Sequence, residues 1–379
     1  MPHGKLENLQ DCEDFVRGCQ FMGTGGGGTL KWGMGLLTEA LKDRIPLEWV
    51  DLNDIPDDAL TVTAYGMGSI APVTQETLEE IKRVGLIDLY GDRSIEEAVK
   101  ELGNYLGKPV GCLVPAELGA GNTPAPLVVG SRLGIPVVDG DYSGRAIPEE
   151  MQGTPYLYGK NSWPFASVDR WGNITIAKYT VSPHMLERVG KMLAVAAYGH
   201  TTMASTPLPA SEMKQIVVRN TLTKCLNLGR KMRQAREQGK NIIDAALEVT
   251  GGWRLFEGIV TRKDWEDRGG YMLGTTTVEG CGDYSGKTLK VWFKNENHVS
   301  WLNGKPFVCS PDLLTLAHLE TGEGISNTLL KEGEAVVAVG MKGLEAFRTP
   351  FGLDQASGPR YFGFDIEYVP IEVLTKDRV

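Results

Sequence analysis

The chain changes its punctuation once, at Gly251-Gly252, and that change limits the folds open to it. Before it, short apolar runs alternate with helical periodicities. After it, strand-like segments follow one another with turn residues between them. In the first part, Leu9, Phe15, Val16 and Cys19 mark a helix ending near Phe21-Met22, and Leu30, Met34, Leu37 and Leu41 mark a second. Strands are expected over 47–51, 60–65, 110–114 and 135–138. Helices lie between them, one capped by Thr74, one opened by the capping box Ser94-x-x-Glu97, and one running from Thr123-Pro124 to Gly134. Residues 184–198 and 211–238 read as helical, the latter with Leu222, Cys225, Leu226 and Met232 on its apolar face. Strands then follow over 253–260, 271–278, 288–293 and 335–339, with a turn at Asn303-Gly304. The expected fold is an N-terminal α/β layer with a largely parallel sheet, and a C-terminal β-rich part that is a small barrel or a sandwich. Its expected divisions are 1–175, a helical segment over 176–250 that packs on the α/β domain, and 251–379.

A length of 379 residues agrees with this division, since a domain takes about 150. The balance of 39 Lys and Arg against 48 Asp and Glu leaves a net charge of −9, with no basic stripe, so no nucleic-acid partner is expected. No apolar run approaches the roughly 18 residues of a membrane span, and the first residues lack the apolar core of a secretory leader. The six cysteines are scattered, without a CxxC pair, as reduced thiols of a cytoplasmic protein would be. The five histidines form neither HExxH nor HxH, which argues against a histidine-rich metal cage. The sequence leaves the oligomeric state open, a homo-oligomer included.

Two stretches can carry chemistry. Gly25, Gly26, Gly27 and Gly28 end a glycine run that leads into a helix, where backbone N–H groups can approach a ligand; a tight structural turn is the competing reading. No Gly-Lys-Ser/Thr follows, so it is no P-loop. The second stretch holds Glu117, Asn122, Asp139, Asp141, Arg145 and Glu149 at the carboxyl ends of two expected strands, the rim where open α/β sheets bind ligands. Asp139 and Asp141, two apart, share a face if extended. They then share a cation or a proton, or are held apart by Arg145; alternatively they cap a turn and pair with Arg145 structurally. His200 sits among hydroxyls after a helix and is a general base, a metal ligand or a structural histidine. Asn295 and Glu296 end a strand and either reach a cleft between domains or belong to a turn.

These blocks together with Pro311-Asp312-Leu313 and Gly358-Pro359-Arg360-Tyr361-Phe362-Gly363 resemble the S-methyl-thiohydantoin desulfurase family, found beside or fused to hydantoinase/oxoprolinase subunits. The resemblance runs almost the whole length, and Asp139-x-Asp141-x-x-Gly-Arg145-Ala-x-Pro-Glu149 is its most specific part. Where the family has Asp-Ala-Asp-x-Met-Gly-Arg, this chain has Asp139-Gly-Asp141-Tyr142-Ser143-Gly-Arg145, which bears on substrate choice.

The resemblance implies an N-terminal three-layer α/β domain and a C-terminal β-rich, barrel-like domain, and with them hydrolysis of a small cyclic amide, imide or thiohydantoin-type ring by water attack on an sp² carbon. For such chemistry Asp139, Asp141, Glu117 and His200 are the candidate catalytic residues. Gly25 to Gly28, Asn122, Arg145, Glu149, Asn295 and Glu296 are assigned to substrate binding. A divalent metal such as zinc is the candidate cofactor, with Asp139, Asp141 and His200 as its candidate ligands. The competing functions are a non-catalytic partner of a hydantoinase/oxoprolinase-type subunit and a nucleotide-binding protein using the glycine loop.

Overall fold

The computed structural model describes residues 3–376. Residues 1, 2 and 377–379, at the outer ends of the first and last expected domains, lie outside the described residues. Strand β1 (Gly4–Leu6) pairs antiparallel with β2 (Leu47–Trp49), and helices α1 (Leu9–Met22) and α2 (Leu30–Lys42) run between them. Then come β3 (Leu60–Gly68), α3 (Gln75–Val84), α4 (Ser94–Leu106), β4 (Cys112–Val114) and α5 (Pro124–Leu133). Asn8, Thr29 and Thr74 cap α1, α2 and α3, each side chain accepting a free N–H of the first turn. Helix α5 starts on Pro124 and stops at Gly134, whose φ of 68° suits a residue without Cβ. The capping box at Ser94 does not form. A tight turn over Gly91–Arg93 runs straight into α4, so Ser94 is already helical and its hydroxyl donates to Gly91 O.

The chain continues through β5 (Gly140–Asp141), α6 (Thr154–Leu157), β6 (Phe165–Val168), β7 (Ile174–Ala177), α7 (Pro183–Ala196) and β8 (His200–Pro209). The central sheet has the order β4-β3-β8-β6-β7. Only β3 and β4 pair in parallel; the β3–β8, β8–β6 and β6–β7 pairs are antiparallel. Parallel bridges Leu113–Val137 and Val50–Val138 extend the first side. The expected largely parallel sheet is thus a mixed one. The cause is β8, whose hydroxyl-rich sequence hides a strand. Those hydroxyls are buried and bonded, Thr202 Oγ1 donating to Val168 O at 2.7 Å and Ser205 Oγ lying 2.9 Å from Thr63 Oγ1.

Next are α8 (Ala210–Ile216), β9 (Val218–Arg219), α9 (Thr221–Glu237) and α10 (Ile242–Thr250). The helix expected over 211–238 is broken because β9 leaves it to pair with β5, and Asn220 then takes a positive φ of 61°. Asp139 restarts the helix from outside. Its Oδ1 accepts Leu222 N at 2.9 Å and Thr223 N at 3.1 Å, and its Oδ2 accepts the Thr223 hydroxyl at 2.5 Å. Free N–H groups of a helix start are thereby satisfied by a distant carboxylate. Helix α9 lies close against α1 because two glycines allow it. A Cβ on Gly18 would come within 1.9 Å of Cys225 O, and one on Gly229 within 1.7 Å of Asp14 O.

The last strands are β10 (Trp253–Arg268), β11 (Tyr271–Gly280), β12 (Thr288–Lys294), β13 (Glu296–Leu302), β14 (Lys305–Cys309), β15 (Leu313–His318) and β16 (Ala335–Met341). They form one antiparallel sheet, ordered β14-β13-β12-β11-β10-β16-β15, that curls into a half-barrel. Asn297 Nδ2 on β13 closes the curl by donating to Leu314 O on β15 at 3.0 Å. The two-residue period of the strands explains how this sheet joins the rest. Val336, Ala338, Leu314 and Leu316 fill the half-barrel, whereas Val337, Val339, Met341, Leu313 and Ala317 share the core of α1 and α9. Among the described residues no helix is long and apolar enough to cross a membrane. All six cysteines are free thiols.

Because Asp139 holds the start of α9, Asp139→Ala should lower stability by about 2 kcal/mol, the upper range for losing a helix cap. Asp139→Asn, which keeps the accepting oxygen, should cost less than half of that in urea unfolding.

Candidate functional site

A cavity of about 330 Å³ opens where the mixed sheet meets the half-barrel. Its walls are the end of β3 (Tyr65 to Gly68), the loop into α2 (Gly27, Gly28), Trp32 in the first turn of α2, Glu117 and Asn122 after β4, Glu149 and Glu150, Glu187 and Lys191 of α7, His200 of β8, and Asn295 with Glu296. Eight of the residues expected from sequence therefore meet here: Gly27, Gly28, Glu117, Asn122, Glu149, His200, Asn295 and Glu296. Gly25 and Gly26 stand just behind, packed against Asn327 and Glu296.

The glycine loop is shaped by close approach. A Cβ on Gly26 would lie 1.7 Å from Glu296 Oε1, one on Gly27 2.6 Å from Gly119 Cα, and one on Gly28 2.8 Å from Gly121 Cα. Gly27 O accepts the N–H groups of Gly121 and Asn122, at 2.9 and 3.1 Å, so the two loops fix each other. Among the described residues the N–H groups of Gly27 and Gly28 donate to no protein acceptor. Both the structural and the ligand reading of the run thus have residues to support them.

Glu117 and Glu296 are buried carboxyls in contrasting surroundings. Glu117 Oε1 accepts Asn122 Nδ2 at 2.7 Å, and Oε2 accepts Ile147 N at 2.6 Å. Asn122 is held in turn by both backbone groups of Gly66. Desolvation pushes the Glu117 carboxyl up to about 7, against the pull of these donors. Glu296 is held differently: its Oε2 is buried without a partner. Burial first, and the charge of Glu117 second, raise it well above the usual carboxylate range. One group is built to ionise near neutrality and the other to keep its proton.

A second tier of titratable groups closes the cavity. The Tyr65 hydroxyl donates to Glu150, which desolvation raises to about 7. Glu187 accepts Tyr271 Oη at 2.5 Å and Glu150 N at 3.0 Å, and burial raises its pKa. Lys191 Nζ donates to Gly68 O at 3.1 Å and stands 3.9 Å from Glu187. Glu149 pairs with Lys294 at 2.6 Å. His200 presents its accessible surface to the cavity while protein surrounds it. Desolvation, then Arg170 and Lys191, lower its pKa to about 4, so the ring is neutral beside Trp32, 6.1 Å away edge-on. Asn295, at a positive φ of 55°, accepts Met272 N at 2.9 Å and shapes the entry to β13.

Besides Gly25 and Gly26, three expected site residues do not line this cavity. Asp139 is occupied by α9, as described. Asp141 turns inward: its Oδ1 accepts Ser143 N and Gly144 N, both at 2.6 Å, and its buried Oδ2 faces the Thr221 hydroxyl outside hydrogen-bond geometry. Desolvation raises it to about 6. Arg145 is a buried clamp. It donates to Ala146 O, Ser310 Oγ, Asp312 O, Thr24 Oγ1 and Asn297 O at 2.9 to 3.5 Å, joining the glycine loop to the half-barrel. The pairing of Arg145 with Asp139 and Asp141 read from the sequence is absent, because backbone groups already engage all three. Asp139, Asp141 and His200 consequently do not come together as a ligand set. Among the described residues no three His, Cys, Asp or Glu side chains are spaced to hold a metal ion.

Sequence reasoning missed Tyr65, Trp32, Glu150, Glu187 and Lys191 as site residues. Glu187 and Lys191 stand four apart on α7, a spacing ordinarily read as a solvated surface pair.

The family model described as S-Me-THD-like, N-terminal domain, matches residues 10–179, and the one described as S-Me-THD-like, C-terminal domain, matches residues 181–371. A crystal structure of a protein from Chromobacterium violaceum superposes with a TM-score of 0.76 at 18% identity, over 97% of this chain and 100% of the other. That likeness concerns the fold. Comparison with curated proteins gave no match.

Arg145→Lys removes the guanidinium fork that reaches both halves at once and leaves acceptors unpaired. Equilibrium unfolding should show a loss of about 3 kcal/mol, as for breaking a buried charged network.

Proposed function

The chain belongs to the S-Me-THD-like family, and from that membership we propose that it is a thiohydantoin-desulfurase-type hydrolase acting on a small sulfur-bearing ring. The observation that carries this reading is the contrast in one cavity between Glu117, whose two oxygens each accept a hydrogen bond, and Glu296, whose buried Oε2 accepts none. Hydrolysis at an sp² ring carbon needs a base for water and an acid for the leaving atom. Glu117, fixed by Asn122 and Ile147 N–H, is the base. Glu296, kept neutral by burial, is the acid. A cavity of about 330 Å³ suits a five-membered ring, at the lower end of ligand pockets of roughly 300–1,000 Å³.

In the proposed step, water adds to the carbon that bears sulfur, forming the C–O bond as its proton passes to Glu117. The C–S bond breaks, and the departing sulfur takes the Glu296 proton, leaving as a thiol. The ring keeps a carbonyl after its hydroxyl proton moves to ring nitrogen. A proton returned from Glu117 to Glu296 completes the cycle. The N–H groups of Gly27 and Gly28 serve the negative charge that develops on the ring. Trp32 and Tyr65 give the ring flat walls, and neutral His200 holds a hydrogen bond to it without adding charge. Asp139 and Asp141 act only through folding in this scheme.

Glu117→Gln should reduce kcat about 10²- to 10⁴-fold on an S-methylated thiohydantoin, the range for loss of a general base. Asp139→Asn should keep kcat within about threefold per folded molecule; the opposite ranking would return the base to the aspartate pair. The pH dependence follows from the sign of the shift. Glu117 works ionised and its pKa is raised to about 7, so kcat/KM should fall as pH drops through 7, where an ordinary glutamate would hold activity to below pH 5.

A further inference from the structure

Between Gly68 and Asp92 the chain makes an excursion whose two ends line the reaction cavity, Ser69 and Ile70 at one end and Asp92 at the other. Helix α3 lies at its middle. We propose that this excursion is a flap, which lays the apolar stripe of α3 over the cavity mouth when a ring is bound. The inference rests on the ring reading given above, because the ring is what favours the closed position.

Burial sets α3 apart. Among the described residues, every other α-helix of eight or more residues buries at least three of them, whereas α3 buries none. Its sequence is nevertheless two-sided. Leu78, Ile81 and Val84 recur at helical spacing, and Glu76, Glu79, Glu80, Lys82 and Arg83 surround the rest. Leu78 is 50% and Val84 49% exposed, and Ile87 and Leu89 just beyond the helix are 79% and 66% exposed. The ten residues of α3 are fewer than the roughly 12–15 that hold a helix in water unaided, so its stripe calls for a cover.

The tethers limit what that cover can be. Ser69 N donates to Gly199 O at 3.3 Å and Thr328 Oγ1 to Ile70 O at 2.7 Å, which pins the first end to β8 and the half-barrel. Leu89 N and Tyr90 N donate to Arg170 O at 2.9 and 3.1 Å, which pins the second. Among the described residues, every hydrogen bond and ion pair made by residues 71–87 stays inside the excursion. Gly85 ends α3 at a φ of 72°, where an added Cβ would meet nothing within 4 Å, so that turn is free of packing. A body held only at two points on one rim can reach that rim and little else. The mouth offers the matching surface, with Trp32, Met67, Ile70, Ile147 and Pro148 as its apolar members. Closure also removes bulk water from Glu117 and Glu296, whose roles depend on desolvation.

The test is the distance between spin labels on Glu79→Cys in α3 and Lys331→Cys in the β15–β16 loop, both exposed positions. The full chain also carries Cys281→Ser, since the other five cysteines are buried. Pulsed electron spin resonance is recorded with and without 5-methylhydantoin, whose binding is followed by calorimetry. Two distances should appear, the probe raising the ratio of one to the other about tenfold or more. Leu78→Asp with Val84→Asp should lower that ratio about tenfold or more, with little change in Tm because both positions are half-exposed. A bound probe that leaves the distances unchanged, or a ratio indifferent to the aspartates, overturns the flap and leaves the ring reading standing. If the probe does not bind, the ring reading fails. The flap then stands on two aspartate-sensitive distances in the protein alone, and falls on a single one. A chain that sediments at twice its 41.3 kDa mass until the aspartates are introduced gives the stripe to a second copy and overturns the flap.

Discussion

Arg145 spends its whole guanidinium on joining parts of the chain that are far apart in sequence. Its donors reach the glycine loop through Thr24 and the half-barrel through Asn297, Ser310 and Asp312, with no carboxylate in direct contact. Desolvation lowers its pKa to about 10, yet it remains cationic at neutral pH. A buried charge that is fully hydrogen-bonded but not neutralised is costly to move, so the surrounding walls are fixed in place. Those walls bound the cavity. The same positive charge lies near Glu117 and Glu296 and acts on both from behind the loops that hold them.

Both acids in the cavity are desolvated, and their hydrogen-bond donors separate their roles. Glu117 and Glu296 have the same chemistry, and their difference comes from donors: two for Glu117, none to Glu296 Oε2. Donors to a carboxylate favour its charged form, whereas burial without them favours the proton. Both conditions come from backbone placement. Asn122 is pinned by Gly66 on β3, and Gly26 lacks the Cβ that would displace Glu296. The glycine excess of the sequence thus reaches the chemistry through packing as well as through exposed amides.

Sequence periodicity was a good guide where one side of an element faces apolar core. Strands β10, β11, β12 and β16 and helices α1, α2 and α5 lie where their patterns put them. It was a poor guide where polar groups are buried. Strand β8 carries bonded hydroxyls and lies within the segment expected to be helical, and its absence from the expected strands made the mixed sheet look parallel. The acid pair was misread for a related reason. Two residues apart implies a shared face only in a sustained strand, and β5 is two residues long, so each aspartate turns to a nearby set of N–H groups instead. Glu187 and Lys191 went unnoticed because helical spacing cannot tell a solvated pair from one covered by the neighbouring β10–β11 turn.

The most direct test of the account is spectroscopic and needs no substrate. Infrared difference spectra between the native protein and Glu117→Gln, recorded from pH 4 to 9, isolate the carboxyl stretch of that one residue. The account predicts a protonated band that persists through pH 6 and gives way to carboxylate near 7. A transition complete below pH 5, as in a solvated glutamate, would mean that the cavity does not desolvate Glu117 and that the division of roles with Glu296 is wrong.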